Sequence, residues 1–406
     1  MRRVTKKALP IYAYSFFMIM PIHALFPLLP MIRDEINASY SQISIFLATL
    51  GIVRLLFAYP SGLLTDRFNQ KYLLLFSGAL CVGGLLLMSY AQSFTQLIVS
   101  RVLIGLSSII CNITILALIA HLAGSQRKGV MISMNNVVHN AGGIVSPALA
   151  GFVATWYSWR VSFWVVAGLI LFSMAMIAAF FKVENIPKQP KAKLNKPDQN
   201  TKPFKNARFL ISRLLPIFAA AFFVFFYRAY LRHTILPFFG KDVFHISVDK
   251  LGIYFSLTAL IAMISLTVLG YLSDRLGRKI IFLPAIFLSA IAALFLLLPE
   301  SLNPLLLCCV FIGLSAIINS MPNILISDLV HPDIFGRVLG LNRMFADSGY
   351  FLGTLSAGIM LDQFGFRIPV YWIAGYAGVM LVFVGLTIPA TATDLKQLKA
   401  DSRSIG

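Results

Sequence analysis

Apolar residues do not alternate along this chain with a helical or strand period that would bury one face. They come in blocks of twenty or more, separated by short polar segments that collect the charges. Such blocks lie at 9–31, 42–64, 72–92, 95–121, 130–155 and 162–182, and again at 211–239, 250–273, 279–299, 302–329, 338–363 and 368–390. About 20 residues rising 1.5 Å each cross a 30 Å hydrocarbon layer, so each block predicts a membrane-spanning helix. The expected fold is an all-α integral membrane protein of twelve transmembrane helices. The first block follows Met1-Arg2-Arg3 but is too long for the apolar core of a signal peptide, and is read as an uncleaved first helix.

Composition agrees. Of 406 residues, 58% are hydrophobic and 12% charged, against about 25% charged in soluble domains. That excludes a water-soluble enzyme and a disordered protein. Cys81, Cys111, Cys308 and Cys309 lie inside apolar blocks, without metal or redox spacing, and are read as packing residues. The net charge of +19 follows from topology. With the N-terminus in the cytoplasm, 25 of the 34 lysines and arginines fall in cytoplasmic segments, five in outer loops and four inside spans. Nucleic acid is therefore not an expected partner. The lipid bilayer and a small-molecule substrate are, with the chain working as a monomer, both termini cytoplasmic, in a plasma (bacterial inner) membrane.

The two sets of six blocks are copies. Arg101 to Ile110 and Cys309 to Ile318 share seven identities in ten at an offset of 208, and Gly62 to Lys71 aligns at the same offset with Gly270 to Lys279. Pro30 matches Pro237 at 207, as do Gly142, Gly151 and Arg160 with Gly349, Gly358 and Arg367. The chain therefore divides into a six-helix bundle (1–183), a proline- and lysine-rich linker (184–208), a second six-helix bundle (209–392) and a tail (393–406). Two pseudo-symmetric bundles are the architecture of alternating access, in which the halves rock about a midplane site.

The repeated loop has its own mechanics. Gly62 and Gly270 allow a neighbouring helix to come close. Asp66 and Asp274 are expected at the cytoplasmic rim, facing the positive N-terminus of a helix in the other half. Arg67, Arg275 and Arg278 hold the loops inside. The competing view is that these are charged turns, which does not explain the same order twice.

These residues resemble the major facilitator superfamily over essentially the full chain. Its GxLxDRxGRK loop signature is matched closely at 270–279 and less closely at 62–71, where Asn69-Gln70 replace Gly-Arg. Arg101 and Gly105 resemble its helix-4 pattern. Gly142-Gly143-Ile-Val-Ser146-Pro147-Ala-Leu-Ala150-Gly151 resembles its helix-5 pattern, so Gly143, Pro147 and Gly151 are candidates there. That pattern implies an antiporter, in most members an exporter, although Ser146 and Ala150 stand where the family has glycine. Helix 1 over 9–31 lacks the acidic residue often seen in the family's drug–proton antiporters, with His23 its ionisable group, which argues against a purely cationic cargo.

An arginine at a helix centre costs about 2.5–3.5 kcal/mol on insertion scales, so such a residue should face a cavity or a partner. Arg54, Arg101, Arg228 and Arg232 are the four inside spans, and they suggest a cationic cavity for an anionic or polyhydroxylated substrate. The structural alternatives are bonds from Arg54 and Arg101 to helix-end carbonyls, snorkelling of Arg101 and Arg232, and an Arg343–Asp347 pair at i,i+4. Proton coupling needs a titrating group. Asp347, placed about 13 Å into helix 11, is the first candidate and His139 the second, with His233 behind; Asp328 sits nearer the rim. Phe222 to Tyr227 is read as packing. No cofactor is expected, the proton gradient supplying energy; without a P-loop, ATP does not drive the chain directly. The expected function is proton-coupled export of a small anionic or amphipathic metabolite or drug. The alternatives are uptake of an organic acid or carboxylate siderophore, and, from another class, a membrane sensor or embedded enzyme. The last lacks any HExxH, Ser/His/Asp set or carboxylate pair.

Overall fold

The computed structural model describes residues 2–181, 207–330 and 332–388. Twelve long helices carry the chain: α1 (Leu9–Ile36), α2 (Tyr40–Thr65), α3 (Gln70–Ser89), α4 (Phe94–Ile119), α5 (Val130–Trp156), α6 (Trp159–Phe180), α7 (Leu214–Val243), α8 (Val248–Leu276), α9 (Arg278–Phe295), α10 (Pro304–Leu329), α11 (Pro332–Phe364) and α12 (Arg367–Thr387). Among the described residues there is no strand. Eleven of the twelve are long and apolar enough to span a membrane by length and composition. The exception is α11, whose 33 residues include Arg343, Asp347 and Asp362. Its polarity reflects its place between the halves rather than a shorter reach.

Three ends differ from the hydropathy blocks. Helix α1 runs on to Ile36, past Arg33, Asp34 and Glu35, because charged residues end an apolar block without ending a helix. Helix α11 begins at Pro332, not 338, so Asp347 lies about 22 Å along it, near its middle. Arg343, expected four residues before Asp347, lies on the same helix. Between α4 and α5 no loop interrupts the helical backbone, which runs from Phe94 to Trp156. The chain nonetheless doubles back: Asn112 and Asn135 line one cavity, whereas a straight helix would set them about 35 Å apart. The 184–208 linker lies outside the described residues up to 206, and so does the 393–406 tail.

Three spans are not regular. Helix α1 is interrupted at Ile19, two residues before Pro21, which supplies no N–H for the next turn. Helix α7 is π-wound over Arg228–Ile235, where the Thr234 hydroxyl donates to the Ala229 carbonyl five residues back (3.0 Å). Helix α10 tightens to a 3-10 turn over Ser315–Asn319. The second carries Arg228, Arg232 and His233 at the centre of the molecule, functional sites being a frequent location of such departures.

The repeat is visible in packing. Gly105 of α4 meets Val53 of α2, and 208 residues on Gly313 meets Ile261 of α8. The two halves join through equivalent helix pairs, α5 with α8 and α2 with α11. A β-carbon at Gly151 would lie 2.6 Å from the Val248 carbonyl oxygen, and one at Gly252 would collide with that of Pro147. In the equivalent pair, Gly358 lies against Ser44 and the Tyr40 carbonyl. All of these contacts are near the ends of α5 and α11 and the starts of α2 and α8. This is the face opposite the one where α1 begins and α12 ends, which we call the terminal face.

Candidate functional site

The halves are fastened at the opposite face. Arg33, in the last turn of α1, donates to both carboxylate oxygens of Asp242 in α7 (2.5 and 3.0 Å), and the Tyr40 hydroxyl donates to the same carboxylate (2.7 Å). Asp362 of α11 accepts from the backbone N–H groups of Tyr40 and Ser41 (3.1 and 2.8 Å), at the positive N-terminus of α2. The Ala148 N–H donates to Ser256 (3.0 Å). Among the described residues, no side-chain hydrogen bond or ion pair joins the halves at the terminal face.

There the repeated loops stand apart. Gly62 and Gly270, expected to admit a neighbouring helix, have nothing near the position a β-carbon would take. Asp274, expected to face the other half, is bound by Arg278 of its own half; Arg278 also donates to Ser273 (2.9 Å) and to Asp328 of α10 (2.8 Å). Both differences follow from this face being open, which separates each loop from its partner. Arg275 covers the Tyr271 ring and Arg67 is exposed. The side chain of Asp66 lies outside the described residues. Asn69 has its own task where the second copy has glycine: its side chain caps α3 by accepting from the Lys71 N–H (2.9 Å), whereas Gly277 takes φ +106°. With Gln70 in place of the arginine, the first loop shows no counterpart of the Asp274–Arg278–Asp328 network among the described residues.

At the centre the structure brings the four sequence-selected arginines into one cluster. Arg54 donates to Ser108 of α4 (3.1 Å) and lies within electrostatic reach of Arg343, Asp347 and Arg228. Arg228 in turn is near Arg343 and Tyr350, and Arg232 near Arg228. Arg101 is fully buried, its guanidinium 5.3 Å above the Phe46 ring, and none of its three nitrogens has a hydrogen-bond partner among the described residues. The Nε atoms of Arg228 and Arg232 are likewise unpartnered. Arg101 therefore does not bond helix-end carbonyls here. Asp347 is buried and accepts from Arg343, four residues before it (2.9 Å), so the i,i+4 pair is formed while the Arg343 side chain remains 55% exposed. Asp347 thus meets Arg343 and Arg54, and the remaining arginines of the cluster have no carboxylate beside them among the described residues, an arrangement suited to an anion and hostile to a cation.

Above the cluster an aromatic layer crosses the seam between halves. Phe26 of α1 stacks on His233 of α7 (4.2 Å, 17°) and, more loosely, on Phe255 of α8 (6.0 Å). His233 Nδ1 is 3.2 Å from the Tyr350 hydroxyl. Of the phenylalanines of 222–227, Phe223 and Phe226 instead pack with Trp372 and Tyr376 of α12, inside the second half, while the Phe225 ring lies 5.8 Å from the Arg343 guanidinium. All four cysteines are buried and unpaired.

Below the layer, a small, partly open cavity lies in the first half. Its wall comprises Ser15, Met18, Ile19 and Ile22 of α1, Arg54 of α2, Ser108, Cys111, Asn112 and Ile115 of α4, and Asn135, Asn136 and His139 of α5. The His139 Nδ1 is 3.2 Å from both the hydroxyl and the carbonyl oxygen of Ser15. Ser15, Ser108 and the three asparagines were not singled out from sequence. The signal was present, since 135, 139, 142 and 146 form one polar or small-residue stripe of α5 at helical spacing.

The helix-5 motif is a packing device on both sides. Gly142 lies on the Phe16 backbone, a β-carbon at Gly143 would lie 3.3 Å from the His23 ring, and Ser146 donates to the Met20 carbonyl (2.7 Å). Gly151 and the Pro147 carbonyl form the seam with α8. In α11 the equivalent of Ser146 is Gly353, which lies on the Phe226 carbonyl.

Two six-helix repeats, fastened at one face and enclosing a charged central site, define a membrane transporter of the alternating-access type. The family model of the Major Facilitator Superfamily matches residues 11–266 and 229–403, and the chain belongs to that family. Its relatives are transporters, not enzymes. It is 23% identical over 383 residues to the hexuronate transporter of Bacillus subtilis (strain 168), covering 88% of this chain and 87% of that one. It is 25% identical over 374 residues to the multidrug resistance protein MdtG of Proteus mirabilis (strain HI4320), covering 88% and 89%. Among solved structures the fold is similar to a D-xylose–proton symporter (TM-score 0.77, 13% identity, covering 95% and 98%). It is also similar to the inward-open xylose transporter XylE from E. coli (TM-score 0.74, 14% identity, covering 98% and 99%).

Proposed function

We propose that this protein is a proton-linked exporter of a small organic anion in a bacterial inner membrane. The observation that carries the reading is the arginine cluster: Arg54, Arg228 and Arg343 meet at the centre with Asp347 as the one carboxylate among them. A guanidinium matches a carboxylate or phosphate through paired N–H donors. The distribution of basic segments along the chain supports a cytoplasmic terminal face, so the open cavity would face inward. The helix-5 motif and the MdtG relative favour export. We take the chain to act as a monomer, with the proton gradient and no cofactor as its energy source.

A second reading, uptake by proton symport, has support of its own. Asp347 occupies Arg343 while it is ionised. Protonation would release that guanidinium to an anion, so proton and anion would bind together. The hexuronate transporter among the relatives carries a sugar acid by its name.

The test is proton flux in proteoliposomes under an imposed pH gradient, against panels of organic anions, siderophores and cationic drugs. Anion-dependent flux that falls at least about tenfold in Arg54→Gln and Arg228→Gln is the expected result. Its sign relative to the gradient separates export by exchange from symport. Flux driven by cationic drugs alone, untouched by either substitution, would make the arginines structural.

A further inference from the structure

We infer that Asn112, Asn135 and Asn136 form a hydroxyl-reading subsite, so that the substrate is a polyhydroxylated carboxylate held by its charge at the arginines and by its hydroxyl groups in the first half. The inference rests on the anion reading for one end of the ligand only. Three observations carry it. The cavity beside Arg54 has three amides and two hydroxyls in its wall and no carboxylate. Asn135 is 5% exposed, lines that cavity, and its Oδ1 has no hydrogen-bond partner among the described residues. An amide carbonyl buried in this way is a hydrogen-bond acceptor waiting for a donor, and an anion supplies none at its charged end. Finally, Met18, Ile19 and Ile22 supply an apolar strip on the α1 side of the same cavity. A chain or ring of hydroxylated carbons has both surfaces, with C–H groups for the strip and O–H groups for the amides.

The arrangement is one-sided. Asn112 lies on α4 eleven residues beyond Arg101 and four beyond Ser108, whose hydroxyl already receives the Arg54 Nε–H. The charged anchor and the neutral amides are therefore contiguous along α4 and share the wall of one cavity. A simple aliphatic acid of equal charge would satisfy the arginine and leave the amides unpaired, which is the stronger form of discrimination because burial penalises unpaired polar groups. His139, held at Ser15 on the α1 side of this wall, completes it.

Equilibrium binding by the purified full chain at neutral pH tests this with three probes: D-gluconate, hexanoate of the same charge and chain length, and neutral D-glucose. Gluconate should bind at least about tenfold more tightly than hexanoate. Asn112→Ala and Asn136→Ala, both at cavity-exposed positions, should each reduce that ratio about three- to tenfold by weakening gluconate alone. Asn135→Ala should do the same, and the two exposed variants keep the test valid if the buried one fails to fold. Arg54→Gln should weaken gluconate and hexanoate together. Equal affinity for gluconate and hexanoate, or amide variants that weaken both alike, would overturn the subsite and leave the anion reading standing. Glucose binding as tight as gluconate, still sensitive to the amides, would overturn the anion reading and keep the subsite. Binding of none of the three would overturn both.

Discussion

The Arg33 guanidinium is held by the Asp242 carboxylate 209 residues further along the chain, through two parallel N–H donors on one side-chain pair. The two side chains are only 15% and 16% exposed, and the Tyr40 ring lies 4.6 Å from the guanidinium carbon. This pair joins the last turn of α1 to the end of α7, and therefore one half of the molecule to the other. It is the main charged fastening at the opposite face, together with Asp362 at the N-terminus of α2. Alternating access requires it to break.

Asp242→Asn should favour the form open at the opposite face. A charged hydrogen bond contributes about 1.5–3 kcal/mol, so the balance should move about tenfold. Labelling of single cysteines placed at the two mouths reports it, with more reaction at the opposite mouth and less at the terminal one. The exchanged pair Arg33→Asp with Asp242→Arg should restore part of the original pattern. Unchanged labelling in Asp242→Asn would make the pair incidental to gating.

The glycine seam makes a second, steric prediction. A side chain at Gly252 would collide with the Pro147 carbonyl, and α5 has no slack because Gly151 already touches Val248. Gly252→Val should prevent closure at the opposite face and reduce transport at least about tenfold while the protein stays folded in detergent. Gly375, with open space around it, serves as the control, and Gly375→Ala should transport normally. Normal transport by Gly252→Val would show that the seam does not need to close.

The helices and the duplication were legible because membrane spans need long apolar blocks and because copies keep their spacing. Val53–Gly105 and Ile261–Gly313 are the same contact at an offset of 208. The convergence of Arg54, Arg228 and Arg232 was also foreseeable, since insertion costs force such residues inward. The Arg33–Asp242 fastening was not. Arg33 reads as an outer-loop charge until α1 is seen to continue to Ile36. The amide cluster was hidden for another reason: neutral asparagines disturb hydropathy little, and Asn112 and Asn135 sit in separate blocks that meet only when the chain doubles back. The role expected of Asp274 at the seam depends on which face is open, and a sequence specifies no single conformational state.

Asp274 yields a prediction on that point. In this conformation it is 65% exposed and its partner Arg278 keeps a second carboxylate in Asp328. An exposed pair of this kind contributes about 0–1 kcal/mol, so Asp274→Asn should hardly affect the form open at the terminal face. Any effect must come from the form in which that face closes and the loop meets the other half. The variant should therefore show increased cysteine labelling at the terminal mouth and unchanged thermal stability. A labelling pattern like that of the parent protein would leave Asp274 as a partner of Arg278 and nothing more.

Asp347 supports the most discriminating prediction. Its carboxylate is buried on α11 and bound to Arg343, and that arginine is itself within reach of Arg54 and Arg228. The ionised carboxylate and a substrate anion would compete for one guanidinium, which links protonation of Asp347 to anion binding in the sense the symport reading needs. Asp347→Asn fixes the neutral state and leaves Arg343 free. Anion exchange without a pH gradient should survive, and anion affinity should rise about three- to tenfold, because the competing charge is gone. Transport driven by a pH gradient should be lost. Arg343→Gln should instead weaken anion binding and leave Asp347 without its partner. If Asp347→Asn retains pH-driven transport, the proton is carried elsewhere, and His139 beside Ser15 becomes the group to substitute next.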